Sequence, residues 1–189
     1  MQPAKPDYVG DAEHDVPNLN LPNILTLIRL LLVPVFAFLL PQSQDSAQLR
    51  WWATAVFSIA ALTDLIDGYL ARKYRLITNV GKIADPIADK LLIGTALIAL
   101  ALEHTIAWWI PTVILTREIG ITLLRFKVIN RGVIPASRGG KAKTISQMVA
   151  IIAYLVPLSG AVDNIAAIAM YLAVVLTLVT GVDYVVRAY

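Results

Sequence analysis

The chain has 189 residues, of which 58% are hydrophobic and only 15% charged, with a net charge of +3 and a mean hydropathy of +0.69. Soluble domains carry about a quarter charged residues, so this composition excludes an ordinary soluble globule and predicts an integral membrane protein. It has no cysteine and two histidines, His14 and His104, which excludes disulfides, thiolate metal sites and a His-rich zinc site. The apolar runs are continuous rather than alternating, so the fold class is all-α, not a barrel.

Residues 1–20 are polar, rich in Pro and Asp, and lack the charged-then-apolar pattern of a signal peptide. They read as a flexible cytosolic leader to a six-helix transmembrane domain over 21–189. The first span is Leu21–Leu40, with Asn23 as a candidate cap and Thr26 one turn on. Arg29 lies inside it, either snorkelling to the interface or facing a polar cavity. After a polar loop, Pro41–Arg50, Trp51 and Trp52 open a second span as interfacial aromatics, running to about Arg72. Lys73, Tyr74 and Arg75 begin a basic loop. The third span, about Gly81–Leu102, carries Asp85, Pro86 and Asp89 in its first turns, where a proline gives up a hydrogen bond already missing. Trp108 and Trp109 mark the start of a fourth span, to about Arg125, with Arg117 and Glu118 embedded. A long basic loop follows, Arg125–Lys143, made pliable by Gly139 and Gly140. The fifth and sixth spans are about Thr144–Leu158 and Ile165–Val186.

Six spans place both termini on one side. Nearly all Lys and Arg of the loops follow spans two and four, so the positive-inside rule assigns that side, with both termini, to the cytosol.

The stretch with the densest chemistry is Asp64–Asp89, DLIDGYLARKYRLITNVGKIADPIAD. Asp64 and Asp67 are three apart and Asp85 and Asp89 four apart, so each pair shares a helix face. Both pairs fall at the inner ends of their spans. Carboxylates cost a few kcal/mol each in a bilayer core and therefore require a partner. An all-oxygen cage suits Mg2+ or Mn2+. Four roles compete for it: helix-holding ion pairs with Arg72, Lys73 and Lys82; an ion path; a regulatory or interaction protein with a structural cation; and metal-assisted chemistry on a phosphate. The ion path requires polar residues through the midplane, whereas the outer halves of these spans are plain. Ion pairs alone are poor stabilisers. Phosphate chemistry fits best, because two divalent ions about 4 Å apart clamp both the attacking and the leaving oxygen.

At these residues the chain resembles the CDP-alcohol phosphotransferase family, whose signature is D-x2-D-G-x2-A-R-x8-G-x3-D-x3-D. Asp64, Asp67, Gly68, Ala71, Arg72, Gly81, Asp85 and Asp89 meet every spacing. The stretches Asn20–Pro34, Thr116–Arg125 and Gly139–Gln147 resemble its bacterial phosphatidylglycerophosphate synthase branch. The resemblance implies six transmembrane helices, a membrane-embedded homodimer and transfer of the phosphatidyl group from CDP-diacylglycerol to sn-glycerol 3-phosphate, with release of CMP. It implies that Asp64, Asp67, Asp85 and Asp89 hold two Mg2+ or Mn2+ ions, with Asp89 also the general base. Gly68 and Ala71 would leave room for the nucleotide. Arg72 would meet the CDP diphosphate, with Thr78 nearby and Asn23 and Thr26 lining the same site. The acceptor's phosphate requires cations, for which Arg117, Arg125, Lys141, Lys143 and Lys82 are the candidates. The alternatives are a sister enzyme, using inositol phosphate or phosphatidylglycerol as acceptor, and an ion-coupled transporter.

Overall fold

The computed structural model describes residues 20–74, 76, 78–128, 138–158 and 160–188. The expected leader lies outside them except for Asn20. Six α-helices follow one another: α1 Leu21–Gln42, α2 Ala47–Lys73, α3 Asn79–Leu102, α4 Trp109–Val128, α5 Arg138–Leu155 and α6 Ala161–Ala188. No strand occurs among the described residues. Among the described residues three helical stretches are long and apolar enough to cross a membrane: Leu21–Gln42, Ala47–Ala71 and Ala161–Val186. A shorter apolar stretch spans Ala142–Leu155. The chain is thus a multi-pass membrane protein. Helices α3 and α4 fall short of a plain apolar span because they carry Lys82, Asp85, Asp89 and Lys90, and Arg117, Glu118 and Arg125, respectively.

Several boundaries differ from the sequence expectation, each through capping. Helix α1 is capped by Asn20, not Asn23: the Asn20 side chain accepts from the Asn23 backbone N–H at 3.0 Å. Pro41 and Gln42 remain helical. Ser46 caps α2 five residues before Trp51. Thr78 caps α3, accepting from the Gly81 N–H at 3.0 Å. Pro86 therefore sits in the second turn, where its absent N–H removes a bond to residue 82. Gly139 and Gly140 lie inside α5 rather than in a pliable loop. Gly160, at φ +84°, makes the tight entry to α6 by donating to Asp163 Oδ2 at 3.0 Å.

Helix α1 packs on α2 and α3, α5 on α6, and α4 on α6. The core runs through Phe36, Leu40, Phe57, Leu92, Leu97, Leu100, Ile151 and Leu155. The rings of Phe36 and Phe57 tilt at 5.5 Å between centroids. Long apolar side chains such as Leu31, Phe38, Ile168 and Val186 are exposed, as a lipid-facing surface requires. Trp51, Trp52, Trp108 and Trp109 are about half exposed at one end of the bundle, as an interfacial belt would be.

At that same end a polar clamp closes the bundle. Arg50 pairs with Glu103 at 2.6 Å and donates to the carbonyls of Leu155 and Tyr154 at 3.2 and 3.3 Å. One guanidinium thereby ties α2, the end of α3 and the end of α5. Removing one partner of a largely buried pair leaves the other charge uncompensated. Arg50→Met is expected to destabilise the protein by about 3 kcal/mol, read as a lower Tm of the detergent-solubilised chain. An unchanged Tm would show the clamp to be ornamental.

Candidate functional site

Asp64 and Asp67 lie in the last three turns of α2, and Asp85 and Asp89 in the second and third turns of α3. The short connection between these helices puts both pairs at one depth. It is anchored from α1: Asn20 Nδ2 donates to the Leu76 carbonyl at 3.3 Å, and Asn23 Nδ2 to Thr78 Oγ1 at 2.7 Å. Thr26, almost fully buried, donates its hydroxyl proton to Asp85 Oδ1 at 2.5 Å, with the Pro22 carbonyl 3.1 Å from the same oxygen. Asn23, Thr26 and Arg29 form a polar ridge on α1 at every third residue, turned toward α2 and α3.

Arg29 decides the geometry. Its side chain is 0% exposed; Nη1 forms an ion pair with Asp64 Oδ1 at 2.6 Å, and Nη2 donates to Asp67 Oδ2. Of the two sequence readings, snorkelling is overturned. The side chain turns inward onto carboxylates because it occupies the buried stripe of α1, in register with Thr26, Val33, Phe36 and Leu40. That register was available in the sequence and would have placed Arg29 in the site. Helix-holding pairs with Arg72, Lys73 and Lys82 were the competing reading set aside in the sequence. Among the described side chains it is Arg29 that takes this role, while Lys73 lies over the rings of Tyr69 and Tyr74.

The carboxylates form one electrostatic unit. Asp67 feels Asp64 and Asp85, and Asp89 feels Asp64, Glu118, Lys143 and Lys90. Asp89 Oδ1 is buried with no hydrogen-bond partner. Among the described residues no three acidic side chains converge on a single point as they stand; Arg29 holds Asp64 and Asp67 to itself. The donor set nonetheless fits hard cations. It is all oxygen, it sets four carboxylates against one guanidinium, and it includes an orphaned buried oxygen.

A second cluster faces it from α4, α5 and α6. Glu118 Oε1 accepts from Arg117 Nη1 at 2.9 Å and from Lys143 Nζ at 2.5 Å. Arg117 Nη2 donates to Thr180 Oγ1 at 3.0 Å. Nearby, Gln147 Nε2 donates to Thr177 Oγ1 at 3.0 Å across α5 and α6. Of the five expected phosphate-binding cations, the structure brings Arg117 and Lys143 together. Helical position is described for Lys82, Arg125 and Lys141, but their side chains, like that of Arg72, lie outside the described residues. Glu118, Thr180 and Gln147 were not singled out from sequence. Glu118 appeared there only as a charge embedded beside Arg117, and its bond to Lys143 depends on how α5 packs.

Thr78 and Asn23, both expected to line the nucleotide site, have structural roles as well: Thr78 caps α3 and Asn23 braces that cap. Gly81 has a geometric reason: a Cβ there would stand 2.7 Å from Asn23 Oδ1 and 3.2 Å from Thr78 Oγ1. Gly68 and Ala71 are half-buried on α2, one and four residues beyond Asp67.

The model of the CDP-alcohol phosphatidyltransferase family matches residues 19–179. A probable phosphatidylglycerophosphate synthase of Mycobacterium tuberculosis is 51% identical over 172 residues, covering 89% of this chain and 81% of its own. The CDP-diacylglycerol–glycerol-3-phosphate 3-phosphatidyltransferase of Bacillus subtilis is 38% identical over 179 residues, covering 87% and 93%. Its namesake from Rickettsia felis is 37% identical over 170 residues, covering 87% and 93%. The match takes in all six helices apart from the end of α6, and both charge clusters. On that span, and on the intact run of signature residues from Asp64 to Asp89, the chain belongs to the CDP-alcohol phosphatidyltransferase family.

Proposed function

We propose that this protein transfers the phosphatidyl group of CDP-diacylglycerol to sn-glycerol 3-phosphate, releasing CMP and forming phosphatidylglycerophosphate. The observation that carries the reading is the near full-length identity to relatives bearing that activity in their names, at 51% and 38%. The two charge clusters support it: an acidic one suited to a metal-bound diphosphate and, beside it, a cationic one suited to an acceptor phosphate.

In this reading Asp64, Asp67, Asp85 and Asp89 would hold two Mg2+ or Mn2+ ions, which supply charge neutralisation at the diphosphate and the leaving CMP when bound. Arg29 orients Asp64 and Asp67. Thr26 orients Asp85. Gly68 and Ala71 keep the face of α2 open to the nucleotide, and Arg72 meets its diphosphate. Arg117 and Lys143, with Arg125, Lys141 and Lys82 as further candidates, bind the acceptor's phosphate through charge-assisted hydrogen bonds. Asp89 takes the proton of the attacking hydroxyl. The acceptor oxygen forms a bond to the β-phosphorus of the lipid donor as the bridging P–O bond breaks, and its electron pair leaves with CMP. In the sequence, Arg72, Lys73, Arg75, Lys127 and Arg131 fall at or just beyond the C-terminal ends of α2 and α4. They support a cytosolic active site and cytosolic termini.

Three measurements test the reading. Asp89→Asn is expected to lower CMP release by at least about a hundredfold, the low end of what a general base contributes, with CDP-diacylglycerol binding retained. Near-normal turnover would remove Asp89 as base. Chelation by EDTA is expected to stop CMP release, and Mg2+ or Mn2+ to restore it; full turnover in chelator would refute the metal. Gly81→Ala is expected to push Asn23 off Thr78 and to lower kcat/KM for CDP-diacylglycerol by roughly tenfold, the cost of losing one well-placed hydrogen bond. An unaltered kcat/KM would show that the Asn23–Thr78 brace does not shape the donor site.

A further inference from the structure

Glu118 lies at the junction of the cationic cluster. It sits on α4 and accepts from two cations on different helices, its neighbour Arg117 at 2.9 Å and Lys143 of α5 at 2.5 Å. Neither cation has an easy alternative. Lys143 is 6% exposed. Arg117 borders a groove of about 490 Å3 whose other walls are Gly120, Ile121, Leu124, Leu178 and Val182, among similar residues. Turned that way, the guanidinium would meet only apolar side chains. Its inward orientation rests on Glu118 and on Thr180, and Arg117 Nε is buried without a hydrogen-bond partner. Gly181 leaves space for this pose, since a Cβ there would come within 3.2 Å of Arg117 Cγ and Nε. Lys143 also lies within electrostatic range of Asp89.

We propose that Glu118 is a positioning residue that gathers Arg117 and Lys143 into one two-pronged cation for a phosphate monoester. The proposal rests on the assignment of an acceptor phosphate to this cluster. Two buried cations held side by side repel each other, and a single carboxylate between them offsets that repulsion while leaving net positive charge. A phosphate arriving there finds its cations already oriented. Thr180 serves the same pose from α6 as a neutral acceptor. Without Glu118, Lys143 and Arg117 lose the carboxylate they share, and Arg117 keeps only Thr180.

The test is steady-state kinetics on the full chain in detergent micelles or nanodiscs, with CDP-diacylglycerol and glycerol 3-phosphate varied separately. Glu118→Gln keeps the volume and one acceptor oxygen but removes the charge. It is expected to raise KM for glycerol 3-phosphate by roughly tenfold or more, the scale of a lost charge-assisted hydrogen bond, with KM for CDP-diacylglycerol within about twofold of the parent. Glu118→Asp is expected to recover part of that loss. In a double-mutant cycle, Lys143→Gln is expected to add little to Glu118→Gln. If Glu118→Gln fails to fold, Thr180→Val carries the test, with the same shift confined to the acceptor. Equal loss in both substrates' kcat/KM, or no change in the acceptor's KM, would overturn the positioning role. Absence of CMP release by the parent protein with glycerol 3-phosphate would instead end the acceptor assignment, and the positioning role with it.

Discussion

A guanidinium with no exposure to solvent, clasped by two carboxylates, is the interaction the rest of this protein is arranged around. Arg29 has to reach Asp64 and Asp67 because an unpaired charge inside a membrane protein is costly. That requirement fixes the rotation of α1 against α2. The same rotation carries Thr26 to Asp85 and Asn23 to the cap of α3. One helix face thus sets the separation of the two acidic pairs. A buried ion pair contributes little net stability, so what this one supplies is specificity of docking.

The charge pattern divides the polar end of the bundle into two neighbouring parts of opposite sign. One guanidinium faces four carboxylates between α2 and α3, leaving excess negative charge there. Across α4 and α5 one carboxylate faces two cations, leaving excess positive charge. Asp89 borders both, being coupled to Asp64 on one side and to Lys143 and Glu118 on the other. Metal-bound diphosphate suits the first part and a phosphate monoester the second. An oxygen atom passing between them would pass Asp89. The opposite end of the bundle has a different design: Arg50 and Glu103 are tied to backbone carbonyls and hold helix ends together.

Small residues at the polar end have packing reasons as well as steric ones. Gly81 admits the side chain of Asn23 against the first turn of α3, and Gly181 admits the stem of Arg117 against α6. Pro86 sits where α3 is already committed to a helix, so its missing N–H falls next to the carboxylates rather than at the helix start. Such features read as local punctuation in a sequence, and acquire a use only when a neighbouring helix is in place.

Much of this protein was legible one residue at a time. Apolar runs specify helices, because a backbone in lipid must satisfy its own hydrogen bonds, and all six were foreseen. The acidic quartet was legible because ionised groups beside apolar runs stand out and their spacing puts each pair on one face. Helix starts were less legible. Asn20, Ser46 and Thr78 each compete with nearby polar residues, and capping depends on which side chain reaches back to an N–H. Two features belonged to tertiary structure alone: the choice of Asp64 and Asp67 as the partners of Arg29, and the joining of Arg117 to Lys143 through Glu118. A charge in a sequence shows only that a partner must exist. Which partner it finds is settled by the docking of helices far apart along the chain.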